Sequence, residues 1–282
     1  MQRPACRCSD FEAQGSGALA HLMPPHLSVL VHMHHLEFGR ASSTGGLLVQ
    51  SLGGCLAPLK GCEEALAAVT EGEREREGER EGERERERER ERTAGGYGGE
   101  GGEGRELWAT AEGARDRNRA EVTLAGLSAS EARLERLAAD PKVLGAVLWP
   151  GEDSVLPCEV RELAGSRPIC VVALDATWHS GRRLSQRVPE GLVRVRLPPM
   201  PAPEWEAMGA RSLLAPARRY RGPSGENGRV STLEATAMLL EELGAPPELG
   251  RGLRDNLRRH VDRVLTERGR EAFYVDEEKT NH

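Results

Sequence analysis

Apolar runs separated by amphipathic stretches organise this chain. The runs at 27–33, 143–149 and 169–174 are short and rich in β-branched residues, which predicts strands buried on both faces, as in a parallel sheet. The run at 193–197 alternates and predicts a more exposed strand. Helical periodicity covers 128–139, 231–244 and 249–265, and a serine at 128 or 130 is positioned to cap the first of these helices. Strands separated by helices predict an α/β fold with a mainly parallel sheet.

A low-complexity block interrupts this pattern. Residues 71–92 contain 11 Glu and 8 Arg and no apolar side chain, and the sequence stays rich in Gly and Glu up to 104. Such a block cannot bury a core, so we predict a disordered insertion over 71–104. We predict that it divides a single domain, formed by 27–70 and 105–275. An N-terminal segment (1–26) precedes this domain, and a frayed tail (276–282) follows it.

Charge and composition narrow the class of protein. The net charge is −6, yet residues 161–234 hold 12 Arg against 7 acidic residues, which suits a phosphate-bearing partner. Six scattered cysteines do not resemble a secreted disulfide framework. The N-terminus lacks a secretory pattern, and no segment approaches the roughly 18 apolar residues that cross a bilayer. We therefore predict a soluble intracellular protein in the cytoplasm or nucleus, with an organelle as the alternative and no membrane partner.

Polar residues gather where the 169–174 run ends. The chain continues as Asp175-Ala-Thr-Trp178 and then enters a helical pattern with two arginines. In open α/β sheets, ligands bind beyond the carboxyl ends of the strands, so this junction predicts a site. The alternative interpretation is that Asp175 or Thr177 only caps the next helix.

Two further stretches carry polar groups at helix starts. Ser43-Thr44-Gly45 predicts a helix through Leu52 whose free amides could receive an anionic group. Ser231-Thr-Leu-Glu234 is a capping box, in which the serine accepts from a helix amide and the glutamate bonds back to the serine N–H. No G-x-G-x-x-G follows a strand, which disfavours a Rossmann cofactor site.

The histidines at 32, 34 and 35 raise the possibility of a metal site. A strand places 32 and 34 on one face and 35 on the other, and no nearby acidic or cysteine set completes the ligands. We predict no metal there.

Four stretches together resemble the DTW-domain family, whose members are tRNA-uridine aminocarboxypropyltransferases. Asp175-Ala-Thr-Trp178 before a basic helix is similar to the family signature, and residues 231–235 match its Ser-Thr-Leu-Glu-Ala. The family's spacing is also kept by His34, Glu37 and Thr44-Gly45. The fourth stretch is a strand that leads into Trp149-Pro150, as in the family. The chain departs from the family pattern at His35, Ser43, Gly46, Trp149 and Ser154, where the family commonly has Pro, Asn, Arg, Tyr and Ala.

The resemblance implies a SPOUT-like fold, which can be knotted, and S-adenosylmethionine as co-substrate. Its 3-amino-3-carboxypropyl group would move to N3 of a uridine in tRNA, and methylthioadenosine would leave. Asp175 and Trp178 are then the expected catalytic residues: Asp175 as base or proton-acceptor partner, and Trp178 as the side chain that stacks on the flipped uracil or on adenine. The expected cofactor contacts are Thr44, Gly45, Pro150, Leu174, Thr177, Ser231, Thr232 and Glu234. The expected RNA contacts are Arg182, Arg183, Arg219 and Arg221.

The family resemblance also bears on zinc. Many members carry an N-terminal cysteine cluster, of which this sequence retains Cys6 and Cys8. Two thiolates do not make a structural zinc site, so we expect no metal. Either residues upstream are missing or the zinc site is lost.

Three rival functions stay open. The first two are an RNA methyltransferase that uses the same co-substrate and an rRNA aminocarboxypropyltransferase; the threonine of Asp-x-Thr-Trp favours the tRNA branch over the latter. A rival of another class is a non-catalytic RNA-binding protein.

Overall fold

The computed structural model describes residues 19–38, 43–54, 120–198, 212–217 and 230–274. The predicted insertion at 71–104, the tail at 276–282, Cys6, Cys8, Arg219 and Arg221 lie outside the described residues.

The described residues form a five-stranded, all-parallel sheet, which confirms the predicted fold class. The strands are β1 (Leu27–Met33), β2 (Ala120–Leu124), β3 (Leu144–Leu148), β4 (Ile169–Asp175) and β5 (Val193–Val195). Their order in the sheet is β2-β1-β4-β3-β5. Every pairing is parallel, and the β1–β4 register places Met33 opposite Asp175 at the ends of the two strands.

Helices flank this sheet. They are α1 (Thr44–Ser51), α2 (Ser128–Ala138), α3 (Pro157–Ala164), α4 (Trp178–Gln186), α5 (Thr232–Glu242) and α6 (Pro247–Glu267). Short 3₁₀ turns occur at Ala20–Leu22, His35–Glu37 and Ala215–Ala217. None of the helices in the described ranges is long and apolar enough to cross a membrane. The knot implied by the family resemblance stays a prediction.

The alternation of side chains along β4 assigns each residue to one face of the sheet. Cys170 and Val172 pack in a core with Leu134 and Leu137 of α2, and Leu174 packs against the edge of that core. The intervening residues, including Asp175, therefore point to the opposite face, where α1 and α5 contact β4. Burial raises the pKa of the Cys170 thiol, which favours the neutral, unreactive form of a thiol in the core.

The order of the strands places a topological switch point between β1 and β4. From β1 the chain proceeds to β2 on one side, whereas from β4 it proceeds through α4 to β5 on the other side. In α/β proteins, ligands commonly bind beyond the carboxyl ends of adjacent parallel strands whose connections diverge in this way. Asp175 is the last residue of β4 and therefore lies at this switch point.

Two elements, strand β2 and helix α3, were not predicted from the sequence, and the predicted serine cap of helix α2 was wrong. Strand β2 has only five residues, and helix α3 has only eight. Helix α2 begins after Leu127, without a side-chain cap. The hydroxyl of Ser130 instead accepts a hydrogen bond from the amide of Leu124, at 3.0 Å, and so caps the end of β2.

Candidate functional site

The carboxylate of Asp175 is the point where two helices and the central sheet meet. Only 5% of the residue is exposed. Ser43 Oγ donates a hydrogen bond to its Oδ2 at 2.8 Å, and the Thr232 hydroxyl and the Gly45 backbone amide donate to it as well. Ser43 and Gly45 belong to the start of α1, and Thr232 is the first residue of α5. The carboxylate therefore joins the N-terminal ends of α1 and α5 to the end of β4.

Burial raises the pKa of Asp175 above its ordinary value, because a charged carboxylate loses its hydration there. The hydrogen bonds from Ser43, Thr232 and Gly45 lower the pKa and offset part of that effect. A carboxyl group whose pKa lies closer to neutral pH is better matched to taking up a proton in a reaction than a surface aspartate.

Gly45 is required by this arrangement. A Cβ added at this position would lie 2.7 Å from Asp175 Cγ, which is closer than real contacts allow. The prediction that this helix start keeps its amides for an anionic ligand is therefore wrong for Gly45, since the protein's own carboxylate takes that amide. Thr44 is buried, and its hydroxyl accepts from the amide of Leu233 at 3.4 Å, which links α1 to α5.

The capping box at the start of α5 forms as predicted. Ser231 Oγ accepts from the Glu234 amide at 3.3 Å, and Glu234 Oε2 accepts from the Ser231 amide at 2.9 Å. The same glutamate, 1% exposed, also accepts from Ser212 Oγ at 2.5 Å and from the Leu213 amide at 2.8 Å. Glu234 therefore contacts the preceding connection as well as its own helix.

Thr177 and Trp178 open helix α4 in different ways. Thr177 Oγ1 accepts from the amide of Ser180 at 3.3 Å, so the capping interpretation is confirmed for Thr177 and wrong for Asp175. Trp178 is 49% exposed, and its ring centroid lies 6.0 Å from that of Trp149, with the planes tilted by 45°. Trp149 in turn packs against Gly181, where an added Cβ would approach its ring to 3.2 Å.

Helix α4 presents a basic, exposed face that starts at this tryptophan pair. Gly181, Leu184 and Ser185 are buried. The exposed positions between them are Trp178, His179, Arg182, Arg183 and Gln186. Among the described residues, neither Arg182 nor Arg183 has an ion-pair or hydrogen-bond partner for its guanidinium. Both charges are available to an external anion.

The histidines of β1 and the following turn have structural partners. His32 is buried, and its Nδ1 lies 2.9 Å from Thr123 Oγ1 on the neighbouring strand. Burial, and secondarily His34, lower the pKa of His32 to about 4. The backbone amide of His34 donates to the Asp175 carbonyl at 2.9 Å. No group of three potential ligands for a metal ion occurs in the part of the chain that the structure describes.

The structure brings together some of the predicted site residues and separates others. Gly45 and Thr232 donate hydrogen bonds to Asp175, and Thr44 bonds to α5 through Leu233. Ser231 and Glu234 form the capping box of that same helix start. Pro150 is exposed, and Leu174 is half-buried on the other face of the sheet. Two contributors were not among the predicted site residues. Ser43 was predicted only as part of a helix start and as a departure from the family pattern, and Trp149 only as such a departure. The signal for Ser43 in the sequence was its position immediately before Thr44-Gly45.

Comparison with known proteins identifies the family. No curated protein and no solved structure matches the chain. The DTW-domain model matches residues 2–265, nearly the whole sequence. The chain therefore belongs to the DTW-domain family.

Proposed function

We propose that this protein transfers the 3-amino-3-carboxypropyl group of S-adenosylmethionine to N3 of a uridine in tRNA. DTW-domain proteins are known as tRNA-uridine aminocarboxypropyltransferases, and membership of the family indicates a transferase. The observation that best supports the finer assignment is the buried Asp175. It lies at the switch point between β1 and β4, with a raised pKa, three residues before an exposed tryptophan.

The chemistry requires one proton acceptor and accurate positioning. Loss of the proton from N3 makes this nitrogen nucleophilic, and it then bonds to the γ-carbon of the amino-acid chain. The bond between that carbon and sulfur breaks, and its electron pair leaves with methylthioadenosine. We propose that Asp175 accepts the proton from N3, a role that typically increases the rate about 10²- to 10⁴-fold. Holding the γ-carbon, rather than the methyl group, towards N3 is the second contribution of the protein.

The co-substrate contacts proposed for this site are Thr44, Pro150, Leu174, Thr177, Ser231, Thr232 and Glu234; Gly45 is left out because its amide already bonds Asp175. The side chains of Thr44, Thr177 and Glu234 are already hydrogen-bonded within the protein. We therefore propose that these three residues act mainly through the backbone that they hold in place. Thr232 is half-buried and adjoins Asp175, so its surroundings best suit a polar edge of the co-substrate.

The outer face of α4 supports an RNA partner. Trp178 exposes about half of its surface beside Trp149, which suits stacking on an unpaired base. Arg182, one helical turn further on, and Arg183 suit the flanking phosphates. Arg219 and Arg221 stay predicted RNA contacts.

The test is a transfer assay with unmodified tRNA transcripts and S-adenosylmethionine, followed by mass spectrometry of the nucleosides. The proposal predicts uridine that has gained the aminocarboxypropyl mass, together with methylthioadenosine. A methyl-sized gain would identify a methyltransferase, and transfer to rRNA alone would identify the rRNA branch. No product with either RNA, together with no binding of S-adenosylmethionine, would favour the non-catalytic RNA-binding protein.

A further inference from the structure

Residues 212–217, in the connection between β5 and α5, are held from two sides. On the α5 side, Glu234 accepts hydrogen bonds from the Ser212 hydroxyl and from the Leu213 amide. Ser212, Leu214 and Ala217 are all buried. This short segment is therefore fixed at its first two residues by the carboxylate that also completes the capping box of α5.

The chain that follows α6 holds the same segment from the other side. Tyr274 donates its hydroxyl hydrogen to the carbonyl of Leu213 at 2.8 Å. Two arginines donate to the carbonyls at the end of the segment: Arg268 to Ala217 at 2.7 Å and Arg270 to Pro216 at 3.2 Å. Leu213 thus has its amide held by α5 and its carbonyl held by the C-terminal chain.

The C-terminal chain is itself fixed in this position. Helix α6 ends at Glu267, and Gly269 adopts a φ of 68°, which reverses the chain as glycines at helix ends commonly do. Asp262 of α6, which is buried, then accepts hydrogen bonds from the amides of Phe273 at 2.6 Å and Tyr274 at 2.9 Å. The tyrosine ring is therefore placed by a buried carboxylate and not only by its own contact with Leu213.

We propose that residues 268–274 are a positioning element of the active site, and that Tyr274 is its central residue. The inference rests on the proposed function. Contacts lead from Tyr274 through Leu213 to Glu234, which completes the capping box at Ser231, next to the Thr232 that bonds Asp175.

None of residues 268–274 is assigned a direct contact with the co-substrate or with RNA, so their proposed role is to position the residues that make those contacts.

Tyr274→Phe tests this role because it removes one hydroxyl and keeps the ring. Leu163→Ala on α3 is the control, since Leu163 is 51% exposed and lies outside both residues 268–274 and the held segment. Both variants are made in the full chain. For each, we would measure kcat and KM for tRNA, the melting temperature, and amide hydrogen exchange over 212–217 and 231–235.

The proposal predicts faster exchange at 212–217 and a kcat/KM about fivefold lower in Tyr274→Phe, the loss expected for one neutral hydrogen bond. Leu163→Ala should leave both unchanged. A merely structural role would lower the melting temperature of Tyr274→Phe but leave kcat and KM per folded molecule at their wild-type values, and that result would overturn the proposal. Failure of the wild-type protein to transfer anything would instead reject the proposed function. Unchanged amide exchange at 212–217 in Tyr274→Phe would reject the positioning role of residues 268–274 independently of activity.

Discussion

The site consists of two regions that differ in how their polar groups are used. In the inner cluster, which comprises Ser43, Gly45, Asp175 and Thr232, the donors of the helix starts converge on one buried carboxylate. On the outer face, which comprises Trp178, Arg182 and Arg183, the side chains are exposed and the two guanidinium groups have no partner among the described residues. The polar groups of the inner cluster bond to one another, whereas the proposed RNA partner would supply the contacts that the outer face lacks among the described residues.

Helix α6 shows that arginine content alone does not indicate a binding surface. Its arginines are largely committed to neighbours: Arg254 pairs with Glu241 at 2.8 Å, Arg258 with Asp255 at 2.5 Å, and Arg259 bonds to Asn256. On α4, no acidic residue occurs between Asp175 and Glu190. The absence of nearby acidic partners, rather than the number of arginines, distinguishes the outer face.

The largest effect should come from pH, through the inner cluster. Asp175 accepts a proton only when ionised, and its pKa is raised, so the transfer rate should fall as the pH drops through that raised value. Below it, the rate should decrease about tenfold per pH unit. Single-turnover rates of the wild-type protein between pH 4 and 8 measure this dependence. A transfer rate that is constant over the whole pH range would show that Asp175 is not the proton acceptor.

Removing the exposed aromatic ring should have the next largest effect. Trp178→Ala should weaken RNA binding by about tenfold or more, because stacking on an aromatic side chain contributes about 1–3 kcal/mol per base. Affinity for S-adenosylmethionine measured by calorimetry should change less. Leu163→Ala on α3 is the control, since Leu163 is an apolar residue of similar exposure (51%). Equal losses in the two variants would contradict the role of Trp178.

Charge removal on α4 should produce a smaller effect that depends on salt. Replacing Arg182 and Arg183 with alanine should reduce the slope of log affinity against log salt by about 0.7 for each phosphate contact that is lost. The adjacent pair Arg258 and Arg259 on α6 is the matched control, because it removes the same charge from a helix whose arginines are already bonded. RNA titrations at several salt concentrations measure these slopes. Equal slopes for the two double variants would contradict the claim that α4, and not α6, contacts RNA phosphates.

The smallest effect on transfer is expected at His32, a buried group outside both regions. Its folded pKa is about 4, below the ordinary value of 6.5, so its contribution to stability is present above pH 6.5 and is lost as the pH falls towards 4. The difference corresponds to about 3 kcal/mol. Chemical unfolding across this range should show a weaker pH dependence in His32→Gln than in the wild-type protein. If the stability of His32→Gln depended on pH as strongly as that of the wild-type protein, groups other than His32 would cause the loss of stability at low pH.

The sequence alone is enough to locate the candidate site, but it does not predict which side chains contact each other there. The apolar run at 169–174 and the polar residues after it place Asp175 at the end of a buried strand, and the capping box at Ser231 is visible in four letters. The donors to Asp175 lie far from it in the chain, 132 residues away in the case of Ser43, so only tertiary packing brings them together. The same holds for Trp149 beside Trp178, since each comes from a different strand end.

The most direct test of the division between the two regions is Asp175→Asn, compared with the wild-type protein and with the control Asp153→Asn, whose carboxylate is 62% exposed. Single-turnover transfer and RNA affinity are measured on the same preparations. We predict that Asp175→Asn transfers at least about a hundredfold more slowly, with RNA affinity within about twofold of wild type, because the outer face is intact. Transfer at the wild-type rate would contradict the assignment of the chemistry to the inner cluster.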